Sequence, residues 1–166
     1  LDVIRRKTAS MMSLSCELAA LLAEANLEQE KALIEFGSNF GMAFQLMDDA
    51  MDYNSEEDSL GKPPGNDFQE GHVTLPLLHL YQNSEHSLKK KIEGFVENEK
   101  LTQEDFCCVL EHIREAKSIE YTLDLARNYL EKAKSSIRTT SFAQPEFIKS
   151  LDAIANYLYE RHTVSR

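Results

Sequence analysis

Asp48, Asp49 and Asp52 stand in a run that is otherwise largely apolar, Phe44-Gln45-Leu46-Met47-Asp48-Asp49-Ala50-Met51-Asp52. On a helix Asp48 and Asp52 lie one turn apart on the same face, and Asp49 is turned away from Asp48 by roughly 100°. Carboxylates this close repel one another, and a hard divalent cation would offset that repulsion. Magnesium suits the set. It takes oxygen ligands, keeps several waters, and is commonly shared between a carboxylate or two and substrate phosphates. In a chain whose formal net charge is −10, a solvated acidic patch is the competing interpretation. Two features of the context speak for the cation. The acids are interleaved with Leu46, Met47, Ala50 and Met51, unlike a polar surface run. A stiffened loop follows, in which Gly61 and Gly65 permit close backbone approach, Pro63 and Pro64 restrict the chain, and Lys62 offers a point charge for a phosphate.

The elements that must position these residues read as helices. Apolar residues recur at helical spacing, no segment alternates as a strand, and half of the glycines and prolines fall between Gly61 and Gly71. The pattern predicts a first helix from about Val3 to Ala23, with Ala9, Ser10, Ser13, Ser15, Ala19, Ala20 and Ala23 suited to close packing on a neighbour. A second helix is predicted from about Glu28 to Tyr53, carrying Phe36, Phe40, Phe44 and Met47 as core or as the wall of a tunnel. It places the three aspartates near its C-terminus, where the helix dipole disfavours acids. Local stability would not select that arrangement. A polar loop from Asn54 to Thr74 follows, long enough to suggest a function. Helix resumes at Leu75 to Tyr81 with Pro76 in its first turn. Thr102-Gln103-Glu104-Asp105 reads as a capping box, Ser118 as the N-cap of a helix through about Lys134, and Pro145 as the start of a last helix ending near Arg161. No linker interrupts this pattern, so the expectation is a single helical array.

Three ordered motifs carry a resemblance. These are Gly-x-x-Phe-Gln-x-x-Asp-Asp-x-x-Asp, then Leu60-Gly61-Lys62-x-x-Gly65-x-Asp67, then Glu70-Gly71-x-x-Thr74-Leu75-Pro76-Leu77, with Lys7-Thr8 upstream. Together they closely resemble the trans-prenyltransferases, the polyprenyl diphosphate synthases that include farnesyl and geranylgeranyl diphosphate synthases. The resemblance covers essentially the whole chain and implies an all-α antiparallel helical array, part of an isoprenoid synthase fold. It implies a magnesium-dependent enzyme that joins isopentenyl diphosphate to an allylic prenyl diphosphate, and a dimer of the full-length protein. Asp48, Asp49 and Asp52 would hold Mg2+, directly or through waters. Lys7 and Lys62 would contact the allylic diphosphate, and Thr8 and Gln45 would turn neutral dipoles toward a developing carbocation. One position departs from the family, which often has Lys where this chain has His72.

The family carries two aspartate-rich motifs on opposing helices, and this sequence shows one Asp-Asp-x-x-Asp. Leu1 is not an initiator residue, so the expectation is that residues 1–166 form the C-terminal half of a synthase domain, inactive alone. The alternative is a non-catalytic regulatory subunit of a heteromeric synthase, although such a subunit would have no need to keep the aspartates and Lys62. The acidic balance argues against nucleic acid as a partner, and no apolar stretch is long enough for a membrane span. Cys16, Cys107 and Cys108 form neither a disulfide framework nor a zinc motif, which fits a reducing cytoplasm.

Overall fold

The computed structural model describes residues 1–54, 65–97, 102–142 and 144–163, and among them every regular element is helical. The chain begins with α1 (Asp2–Ile4), a π-helical turn at Arg5–Ala9, and α2 (Ser10–Leu22). The helix α3 (Leu27–Asn54) is followed by α4 (Asn66–Gln69), α5 (Leu75–Asn83) and α6 (His86–Glu97). Then come α7 (Gln103–Glu115), α8 (Ser118–Arg138) and α9 (Pro145–Thr163). The predicted helices are all present, with ends displaced by a few residues; α4 lies inside the stretch expected as a polar loop, Asn54 to Thr74, and α6 in one the pattern had left unassigned. The capping box is made as expected. Thr102 Oγ1 accepts from the Asp105 amide at 3.2 Å, and Asp105 Oδ2 accepts from the Thr102 amide at 3.2 Å.

Ser118 differs from its expectation. It is the first residue of α8 and fully buried, and its hydroxyl is engaged by His79 Nδ1 at 2.9 Å rather than by its own helix. The chain turns just before it, at Lys117, whose φ is +52°. The chain forms two compact units, residues 1–45 with 125–166 and residues 46–124. Both divisions fall inside continuous helices, α3 and α8, where no Gly- or Pro-rich linker exists to mark them.

In the unit formed by residues 1–45 and 125–166, α2 closes on α3 at two glycines one turn apart. A Cβ at Gly41 would meet Ala9 Cα at 2.6 Å, and one at Gly37 would meet the Met12 carbonyl oxygen at 2.6 Å. Ala9, Ser13 and Ala20 make this close face as expected, whereas Ser10 and Ser15 are exposed and donate to carbonyls of their own helix. Phe36, stacked on Phe40 at 5.7 Å, packs with Ala133 and Ile137. Phe44 stands apart from them and is exposed. A polar seam joins α8 to α9: Arg138 pairs with Asp152 at 2.5 Å, and Lys134 donates to Asn156 at 3.1 Å.

In the unit formed by residues 46–124, Ala50, Tyr53, Phe68, Leu77, Leu80, Ile92, Phe106, Val109 and Ile113 make the core. Each fully buried large side chain here contributes about 1.5–3 kcal/mol relative to exposure. This core anchors the end of α3, which carries the aspartates.

Candidate diphosphate and metal site

The three aspartates meet three different environments on one helix. Asp48 is exposed, Asp49 is buried, and Asp52 is partly buried two residues before the end of α3. The helical rotation between successive residues produces this spread. They therefore do not form a closed cage of protein oxygens, an arrangement that suits a cation able to keep part of its water shell.

The segment after α3 folds back onto Asp52. The Gly65 amide donates to the Asp52 carbonyl at 2.6 Å, and the Asp67 amide donates to Asp52 Oδ2 at 3.1 Å. Gly65 adopts φ +70°, and a Cβ there would lie 2.3 Å from the Phe106 ring, so the turn requires glycine on both grounds. Phe106 in turn packs on Phe68, with ring centroids 6.4 Å apart. A second tie lies one residue along. Tyr53 is fully buried, and its hydroxyl accepts from Thr74 Oγ1 at 3.2 Å just ahead of α5.

Burial pushes the Asp52 carboxyl up to about 6, against the pull of the Asp67 and Asn66 amides, and the negative charges of Asp67 and Asp48 add to the rise. Burial likewise raises the Tyr53 phenol. An oxygen-only donor set in which burial holds the Asp52 carboxyl toward its neutral form fits a hard divalent cation, which would offset that cost.

Lys7 and Thr8 lie in the π-helical turn, a local distortion that recurs at functional sites. Lys7 is exposed. Thr8 Oγ1 donates to Gln45 Oε1 at 2.9 Å, joining two expected site residues from different helices of one unit. Lys62 lies outside the described residues. His72 is exposed on the loop, with Nδ1 3.8 Å from Glu70. Sequence reasoning did not anticipate the π turn, the Asp67 amide on Asp52, or the Phe106 ring over Gly65. It also missed that Asp67, Glu70 and His72 bring one ligand atom each within 4.8 Å of one another, the one such group among the described residues. Asp67 and Glu70 stood within the quoted motifs, and the glycine before Asp67 was the available signal for the turn.

The helices of the described residues have the architecture of part of the isoprenoid synthase fold, the fold of the solved structures they match. The chain belongs to the Polyprenyl synthetase family, whose pattern it matches over residues 1–113. It is 37% identical to heptaprenyl diphosphate synthase component 2 of Bacillus subtilis over 158 residues, 95% of this chain and 44% of that protein. It is 33% identical to octaprenyl diphosphate synthase of Haemophilus influenzae, covering 96% of this chain and 48% of the other. Among solved structures, polyprenyl synthase from Caulobacter crescentus, complexed with calcium and isoprenyl diphosphate, superposes with a TM-score of 0.85 at 34% identity. That match covers 97% of this chain and 48% of the other. The chain thus spans about half the length of the curated relatives it matches. No helix among the described residues is long and apolar enough to cross a membrane.

Proposed function

We propose that residues 1–166 are the C-terminal half of a magnesium-dependent prenyl diphosphate synthase, one that condenses isopentenyl diphosphate with an allylic diphosphate to lengthen an all-trans polyprenyl diphosphate. The observation that carries this reading is the end of α3, where Asp52 is tied by the Asp67 amide and held near a pKa of about 6. Asp48, Asp49 and Asp52 would hold Mg2+, with Asp48 the most accessible. When bound, the ion supplies positive charge against a departing diphosphate. Lys7 and Lys62 would bind and orient that diphosphate. Thr8 already donates to Gln45, so this pair presents dipoles without net charge, suited to lie beside a carbocation without capturing it. Pyrophosphate itself is the expected base, and no side chain is assigned that role.

The full-length enzyme is proposed to be cytoplasmic and homodimeric. The name of the Bacillus subtilis relative, component 2, favours a second reading in which assembly is heteromeric. On either reading, the 166-residue chain incubated with isopentenyl diphosphate, an allylic diphosphate and Mg2+ is expected to form no extractable prenyl product. Turnover above background would overturn the half-domain reading. A regulatory role is separated by titrating a bisphosphonate with and without Mg2+: metal-dependent binding supports the enzyme, and metal-indifferent binding the non-catalytic subunit.

A further inference from the structure

The helix α4 is too short to hold itself in place. It spans one turn, Asn66–Gln69, and a single turn has no propagation to offset the cost of starting a helix. A glycine in the left-handed region stands on each side of it, Gly65 at φ +70° and Gly71 at φ +82°, so neither flank is stiff. Yet this segment carries the Asp67 amide that donates to Asp52 Oδ2 at 3.1 Å. Its support comes from α7. The edge of the Phe106 ring fills the place where any other residue at position 65 would carry its Cβ, which would lie 2.3 Å from Cε2 and Cζ. The same ring packs on Phe68, with centroids 6.4 Å apart, within the range of favourable aromatic pairs. Asp67 lies between these two points of contact, and both rings are buried. Phe106 is itself firmly held. It stands in the first turn of α7, its amide donates to the Thr102 carbonyl at 3.1 Å, and the Thr102–Asp105 capping box closes that turn. Val109, Leu110 and Ile113 then root the helix in the same core.

We infer that Phe106 is a positioning residue for the metal site at the end of α3: its ring sets Gly65 and Phe68, and through them the Asp67 amide on Asp52. The inference rests on the reading of Asp48, Asp49 and Asp52 as the Mg2+ site. It gives a role there to a side chain without charge or hydrogen-bonding atoms, on a different helix from the aspartates. Groups that orient metal ligands from behind are worth about 10- to 100-fold in affinity, and a rigid helix is what lets such a group act with precision. The rival account is that Phe106 only fills core volume. In that case its loss would lower stability and leave the geometry at Asp52 as it was.

The test makes two measurements on the 166-residue chain. Without metal, amide hydrogen exchange followed by NMR reads the protection of Asp67. With Mg2+, calorimetry reads the affinity for pyrophosphate. The variant Phe106→Leu stays apolar but withdraws the ring edge from Gly65. It is expected to lose Asp67 protection by about tenfold and pyrophosphate affinity by about 10- to 100-fold. Phe106→Met, whose unbranched chain reaches as far as the ring edge and adapts to irregular gaps, is expected to recover most of both. Ile113→Val, a truncation in the same core on the same helix, is expected to lower the urea midpoint and leave both readouts at wild-type values. Wild-type protection of Asp67 in Phe106→Leu overturns the assignment, as does lost protection with unchanged pyrophosphate affinity. Equal losses in Ile113→Val overturn it in favour of general core stability. In each of these cases the Mg2+-site reading stands, because the wild-type chain still binds. A wild-type chain that binds no pyrophosphate with Mg2+ overturns the site reading, and the positioning role with it.

Discussion

Two polar groupings in this chain solve the problem of placing polar atoms at a packed surface in opposite ways. In the unit holding the N-terminus, Thr8 and Gln45 are neutral and satisfy one another across two helices at 2.9 Å. In the other unit, Asp52 is pressed by burial and by the charges of Asp67 and Asp48, and is relieved by backbone amides only in part. The first pair is content without a ligand. The second is an anion cluster at the disfavoured end of a helix, a cost in the free chain that a bound cation removes. On the proposed reading, the first grouping would line a site and the second would bind its cation.

The comparison can be broken most severely at the turn that holds Asp52. Gly65→Ala places a methyl against the buried Phe106 ring at a left-handed φ. It is expected to cost about 2–4 kcal/mol in urea unfolding and to expose the Asp67 amide to hydrogen exchange. Asp52→Asn sharpens the comparison in the other direction. The folded carboxyl binds its proton near pH 6, above the unfolded value of about 3.9. Its penalty is therefore absent below about pH 4, grows as pH rises through 6, and is fully present above. The metal-free variant is expected to melt higher than wild type at pH 7.5, with the gap narrowing as pH falls below 6 and closing by about pH 3.5. Thr8→Val removes the neutral hydrogen bond and is expected to lower Tm by about 2–4 °C, or about 1 kcal/mol, equally at both pH values. His72→Lys replaces an exposed ring paired only loosely with Glu70. Its effect on stability is expected to stay within about 0.5 kcal/mol.

Much of this was legible in the sequence, and for physical reasons. The period of the apolar residues gave the helices because every long helix buries one face; the Thr102 box marked a start through local hydrogen bonding, and Pro145 marked one through its fixed φ and missing N–H. The acids at a helix end, which have no stabilising reason to be there, suggested a cation, and the resemblance of Lys7-Thr8, Phe44 to Asp52 and Gly65-x-Asp67 to the trans-prenyltransferases implied the diphosphate. What stayed hidden depends on tertiary contact. Ser118 carries the right hydroxyl for a cap, but His79, distant in sequence, takes it. The π turn at Arg5–Ala9 has no periodicity of its own. The division of the chain falls within α3 and α8, where composition does not change. The unequal burial of Asp48, Asp49 and Asp52 depends on tertiary packing at the end of α3, which the sequence does not display.

The end of α3 is proposed to hold a cation against a diphosphate. Calorimetric titration of pyrophosphate into the chain at pH 7.5, with and without Mg2+, tests it directly. The expected result is binding that requires Mg2+, weakens as pH falls through 6 with the protonation of Asp52, and drops at least 100-fold in Asp48→Ala, whose exposed position leaves the fold intact. Pyrophosphate binding of equal strength without Mg2+, or undiminished in Asp48→Ala, would contradict it.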